Sequence, residues 1–211
     1  MTSLRYVLRT PSGRDDSAEM PLVIMLHGRG ADANDLADLA PLMDHGYRFV
    51  LPNAPKPFEP MPGYSMGFTW FDDWPPERNS FLASRELLLR FVDEITAKYP
   101  TPRGKVVLCG FSQGGMMAID VGFRTPVELA GIVVMSGALY EEDLPEFRGD
   151  LPVMVVHGTA DDVIPILAAW RTRGVLESQG VEVDYHEFRM GHQVSEESMR
   201  VVADFMARRL L

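Results

Sequence analysis

The stretch Val106-Val107-Leu108-Cys109-Gly110-Phe111-Ser112-Gln113-Gly114-Gly115-Met116-Met117-Ala118 limits most what this chain can fold into. It opens with the apolar run of a short strand, passes through a glycine-built turn, and ends as the start of a helix. A turn from strand straight into helix is sharp. Gly110 and Gly114 flank it because a side chain at either place would meet neighbouring backbone, and Ser112 at its apex takes a strained conformation. That geometry lifts the Ser112 hydroxyl out at the carboxyl end of the strand. The amides that follow, at the helix N-terminus, face any negative charge that develops there. Gly110-x-Ser112-x-Gly114 is the pattern of a nucleophile elbow. With 18 glycines and 11 serines in 211 residues, about 0.08 such pentapeptides arise per chain by chance, so the surrounding context has to carry the reading. The competing account is a glycine-rich turn whose serine merely caps the helix.

A length of 211 residues fits one α/β domain over 1–211 better than two. The net charge of -10 and pI of about 4.9 argue against nucleic acid and against anionic membrane surfaces, which need a basic patch. Cys109 is the single cysteine, which excludes an internal disulfide and suits a reducing compartment. Residues 1–14 lack an apolar run, so no signal peptide is expected. The longest apolar runs are strand-length, which predicts no stable membrane insertion.

Leu4, Tyr6 and Leu8 alternate with Arg5, Val7 and Arg9, as a half-exposed edge strand does. Leu22-Val23-Ile24-Met25-Leu26 is apolar throughout, as a strand covered on both faces is. It runs into His27-Gly28-Arg29-Gly30. In enzymes built on a nucleophile elbow, such a turn supplies one N–H to an oxyanion hole. The Arg29 amide, with the Gln113 amide after the nucleophile, is the expected donor pair. Taken alone, the turn is an ordinary strand-to-helix connection, and His27 is expected to hydrogen-bond beneath it. The Arg29 side chain reads as a solvated cation.

Residues 32–43 carry Leu36, Leu39, Ala40 and Met43 at helical spacing. Residues 52–78 hold seven of the 16 prolines and six of the 20 aromatics, Trp74 among them. A connection this long without regular structure reads as a lid or a substrate-pocket loop, with Trp70 and Phe71 the expected substrate-binding residues. The alternative is that the aromatics plug the loop onto the core. Asn79 or Ser80 is the expected cap of a long amphipathic helix to about Tyr99, whose charges, including Arg85, read as a solvated face.

Later strands end in His157-Gly158-Thr159-Ala160-Asp161-Asp162 and, after Val181, Val183 and Tyr185, in Met190-Gly191-His192. Elbow hydrolases place their carboxylate and then their histidine after the serine, each just past a strand. Asp161 and Asp162 compete for the first role. Of His27, His45, His157, His186 and His192, only His192 lies in a loop after the last strand. Any one of these groups alone is an ordinary turn residue or packed side chain. The ordered set Ser112, Asp161 and His192 reads as a triad.

Leu26-His27-Gly28-x-Gly30, Gly110-Phe111-Ser112-Gln113-Gly114-Gly115, His157-Gly158-x-x-Asp161 and Gly191-His192 together resemble the phospholipase/carboxylesterase family of α/β hydrolases, which includes acyl-protein thioesterases. The resemblance runs from about residue 20 to the C-terminus, and Trp70-Phe71-Asp72 is similar to a segment these enzymes carry. It implies a mostly parallel, twisted central sheet with helices on both faces. It also implies a small cytosolic serine hydrolase of esters or thioesters, often dimeric, with no cofactor and no metal. The spacing of its His-Gly-x-x-Asp motif assigns the acid to Asp161. Other classes stay open: a peptidase, dienelactone-type hydrolase or acyltransferase on the same scaffold, or a non-catalytic receptor that keeps the fold.

Overall fold

The computed structural model describes residues 2–43, 46–73 and 75–211, so His45 and Trp74 lie outside the described residues. Seven strands form the main sheet: β1 (Tyr6–Arg9), β2 (Leu22–Leu26), β3 (Arg48–Pro52), β6 (Val106–Phe111), β7 (Gly131–Met135), β8 (Val153–Gly158) and β9 (Val183–Phe188). Their order is β1-β3-β2-β6-β7-β8-β9. Only β1 runs antiparallel to its neighbour, which makes it the edge strand its alternation predicts. A separate two-stranded ladder joins β4 (Lys56–Pro57) to β5 (Phe68–Thr69) inside the proline-rich connection.

The unbroken apolar run of β2 has a direct cause. Leu22, Ile24 and Leu26 face a core shared with α2 (Arg78–Lys98), α3 (Gln113–Gly122) and α4 (Ile166–Ser178). Val23 and Met25 face a second core shared with α1 (Ala33–Ala37) and α5 (Glu196–Leu210). Both faces of a parallel sheet are thus covered, and both sides of the strand have to be apolar.

The helix expected over 32–43 is split. Asp32 caps α1, which stops at Ala37, and a separate 3-10 turn spans Ala40–Met43. Pro41 explains the break: it has no N–H to give, and its ring disfavours helical backbone at Ala40. The cap of α2 is Glu77, whose carboxylate accepts the amides of Asn79 and Ser80. An acidic side chain suits the positive end of the helix dipole.

Arg85 is not part of a solvated face. It is buried, donates from Nε and a terminal nitrogen to both oxygens of Asp120 on α3 at 2.6 and 2.8 Å, and reaches Asp143 at 2.5 Å. Burial pushes the Asp120 carboxyl up, against the pull of Arg85 and Arg124. This pair fastens α2 to the helix that starts at Ser112. Replacing Asp120 with Ala leaves the Arg85 guanidinium buried with part of its partners gone, a loss of about 3 kcal/mol. In a chain of this length that lowers the melting temperature by roughly 6–12 °C. A calorimetric scan of Asp120→Ala measures it, and an unchanged midpoint would contradict this role.

Candidate active site

Ser112 joins β6 to α3 with φ 55° and ψ -120°, a conformation that an L-residue rarely takes. Its side chain makes no capping bond to the helix, so the hydroxyl is left for other partners. A Cβ at Gly114 would lie 2.1 Å from the Leu26 carbonyl oxygen and 2.6 Å from that of His27. The first turn of α3 therefore rests on the end of β2, and the His27-Gly28-Arg29 turn comes up beside the serine. His27 is buried beneath that turn, as expected: its Nδ1–H donates to Gly28 O at 2.7 Å and its Nε2 accepts from the Ala54 amide at 3.0 Å. Burial lowers its pKa and keeps it neutral.

The loops after β8 and β9 bring the other two groups in. A Cβ at Gly158 would lie 2.4 Å from Met190 O and 2.5 Å from Gly191 O, so only a glycine there lets the His192 loop cross the end of β8. His192 Nε2 lies 2.8 Å from Ser112 Oγ, and His192 Nδ1 lies 2.8 Å from Asp161 Oδ2. The other carboxylate oxygen of Asp161 accepts the Val163 and Ile164 amides at 3.0 and 2.8 Å. Burial opposes ionisation of Asp161. The bonds from His192 and from these two amides outweigh it and hold the carboxyl below the usual aspartate range. Asp161 is thus an acceptor for Nδ1–H, which leaves the Nε2 lone pair free to accept the serine proton. Asp162 is exposed and makes none of these contacts.

The serine opens into a cleft of about 570 Å³ walled by Leu36, Leu39, Phe111, Val163 and Val194. Arg29 stands at its rim, exposed, with its guanidinium 4.6 Å over the Phe58 ring. A second cavity of about 430 Å³ lies one helical turn along α3, at Met116, between Leu139 and Leu167.

Trp70 and Phe71 are placed differently from expectation. Both are fully buried and neither lines these two cavities. They fasten the connection to the elbow. Trp70 donates its ring N–H to His27 O at 2.8 Å, and its backbone amide donates to Gln113 Oε1 at 3.0 Å. Gln113 Nε2 in turn donates to Phe71 O at 2.9 Å, and Thr69 Oγ1 donates to Gln113 Oε1 at 3.0 Å. This side-chain role of Gln113 was not legible in the sequence. The only signal was a buried-size polar residue one place after the nucleophile. Among the described residues of the connection, the large apolar side chains left exposed are Met61, Tyr64 and Met66.

Cys109 lies in β6, wholly buried, and burial pushes its thiol up to about 12. A thiol so placed is unreactive. Ellman's reagent is expected to titrate no thiol in the native protein and one in guanidinium. Rapid native labelling would show that β6 opens. Among the described residues no group of three or more His, Cys, Asp or Glu is set to hold a metal, and no helix is long and apolar enough to cross a membrane.

A mostly parallel sheet covered on both sides, with a strained serine at the carboxyl end of a central strand, defines an α/β hydrolase. The chain belongs to the phospholipase/carboxylesterase family, whose family model matches residues 13–210. It is 26% identical to lysophospholipase-like protein 1 of Mus musculus over 95% of this chain and 90% of that one. It is 30% identical to acyl-protein thioesterase 1 of Mycosarcoma maydis over 88% of this chain and 90% of that one. Among solved structures, that of esterase PE8 superposes with a TM-score of 0.80 at 28% identity, covering 96% and 99% of the two chains. Family membership makes the chain a hydrolase and supports cleavage of esters or thioesters.

Proposed function

We propose that this protein is a serine hydrolase that cleaves carboxylic esters or thioesters through an acyl-enzyme on Ser112. The observation that carries the reading is the continuous chain Ser112 Oγ–His192 Nε2 and His192 Nδ1–Asp161 Oδ2, both links 2.8 Å, opening into an apolar cleft. Ser112 Oγ attacks the acyl carbonyl while His192 Nε2 takes its proton. Asp161 holds the imidazole tautomer and stabilises the imidazolium. The Arg29 and Gln113 amides, for which no acceptor is found among the described residues, receive the oxyanion. Collapse breaks the bond to the alcohol or thiol, which leaves with the proton from His192. A water then repeats the two steps on the acyl-enzyme.

The apolar part of the wall, Leu36, Leu39, Phe111, Val163 and Val194, suits an alkyl chain, while Arg29, Asp35 and Gln193 supply polar lining beside it. Action in the cytoplasm belongs to the same reading and is supported by a single buried cysteine. The test is a series of p-nitrophenyl esters from acetate to palmitate. The reading expects saturable turnover with a chain-length optimum. Saturable binding of the esters without turnover would instead favour a receptor on the hydrolase fold.

A further inference from the structure

His157, like His27, is fully buried and takes no step in the proposed chemistry. It is the penultimate residue of β8, four residues before Asp161, and its surroundings fix its proton. Nε2 lies 2.7 Å from the Ile164 carbonyl oxygen and 3.4 Å from Asp161 Oδ2. Both are acceptors, so Nε2 must carry the hydrogen. Nδ1 is buried with no partner. An unused lone pair there is less costly than an unsatisfied N–H, which gives the same tautomer. Ser136, the residue just past β7, sits beside His157, since its amide continues the parallel ladder to Val156 O at 2.8 Å. It too is buried, with φ 47° and its Oγ without a partner. Among the described residues no carboxylate other than Asp161 lies within 4.0 Å of the ring nitrogens.

The single N–H thus serves two purposes. It holds the carbonyl of Ile164, the residue whose amide donates to Asp161 Oδ1 at 2.8 Å. It also turns the positive end of its dipole toward Asp161 Oδ2, the oxygen that receives His192. The 3.4 Å separation is too long for a strong hydrogen bond, so the main bond is to Ile164 O and the turn itself is the object held. Asp161 has no freedom left: one oxygen is fixed by two amides, the other by His192 with His157 behind it.

We infer that His157 is a positioning residue for the Asp161 carboxylate, acting through the 161–164 turn and through Oδ2. The inference rests on the serine-hydrolase reading only for its kinetic readout. Gln at 157 can present an amide N–H near the place of Nε2, whereas Leu cannot. His157→Leu is expected to lower kcat, counted per site titrated with a fluorophosphonate, by about 10- to 100-fold with KM within about twofold. His157→Gln is expected to recover most of that loss. A role in stability alone would lower the number of titratable sites without lowering turnover per site, and would leave Gln no better than Leu. Either result overturns the inference.

A second readout needs no turnover. The low-field proton resonance of His192 Nδ1–H, bonded to Asp161, is expected to shift or broaden in His157→Leu and to return in His157→Gln. A resonance unmoved in His157→Leu overturns the inference. Failure of the wild type to take up fluorophosphonate at Ser112 would count against the reading beneath it, while the resonance would still decide the role of His157.

Discussion

Ser112→Ala is expected to lower kcat for a good p-nitrophenyl ester by roughly 10⁵- to 10⁶-fold, about 7–8 kcal/mol of transition-state stabilisation. The proposed oxyanion donors are backbone amides and survive the change, as does the cleft, so KM is expected to move little. A residual rate above that of water is expected from those groups alone. The fold should persist, because the serine hydroxyl bonds only His192 among the described residues and does not cap α3. The strained φ of 55° is set by the packing of Gly110 and Gly114 against their neighbours rather than by the hydroxyl. Steady-state kinetics alongside a thermal scan separate the two effects. An unchanged kcat in a folded variant would remove Ser112 from the reaction.

The second large effect is expected from Asp161→Asn, about 10⁴-fold in kcat, against less than twofold for Asp162→Asn. The reason lies in which oxygen is which. Asp161 Oδ1 faces two amide donors, from Val163 and Ile164. An asparagine there must keep its carbonyl oxygen on that side and turn its NH₂ toward His192 Nδ1. The imidazole then carries its proton on Nε2, facing Ser112, and has no lone pair with which to accept the serine proton. Asp162 is exposed and outside this network. The reverse ranking of the two variants would reassign the orienting carboxylate.

Much of this architecture was legible in the sequence because local rules and the tertiary arrangement agree. The apolar runs of β2 and β6 are buried strands, and their residues read that way in isolation. The elbow was legible because its steric demand falls on glycines close in sequence. The expected groups Ser112, Asp161 and His192 do come together, since each follows a strand at the same edge of one parallel sheet.

The misreadings share a different cause. Trp70 and Phe71 looked like pocket residues because a proline-rich stretch carries no periodicity to say which side chains turn inward. Their burial is decided by His27 and Gln113, far away in the chain. Arg85 looked solvated because its partner, Asp120, is 35 residues on. The tie of Gln113 to residues 69–71 was hidden for the same reason. Pro41 is the exception, a local breaker overruled in the reading by the spacing of Leu36, Leu39 and Met43.

The central claim is that Ser112 is the nucleophile, and covalent capture tests it most directly. The native protein is treated with a fluorophosphonate, its intact mass measured, and the adduct mapped by peptide sequencing. One adduct per chain, on Ser112, is the predicted result. A folded protein that stays unlabelled, or an adduct on another of its serines, would contradict the account.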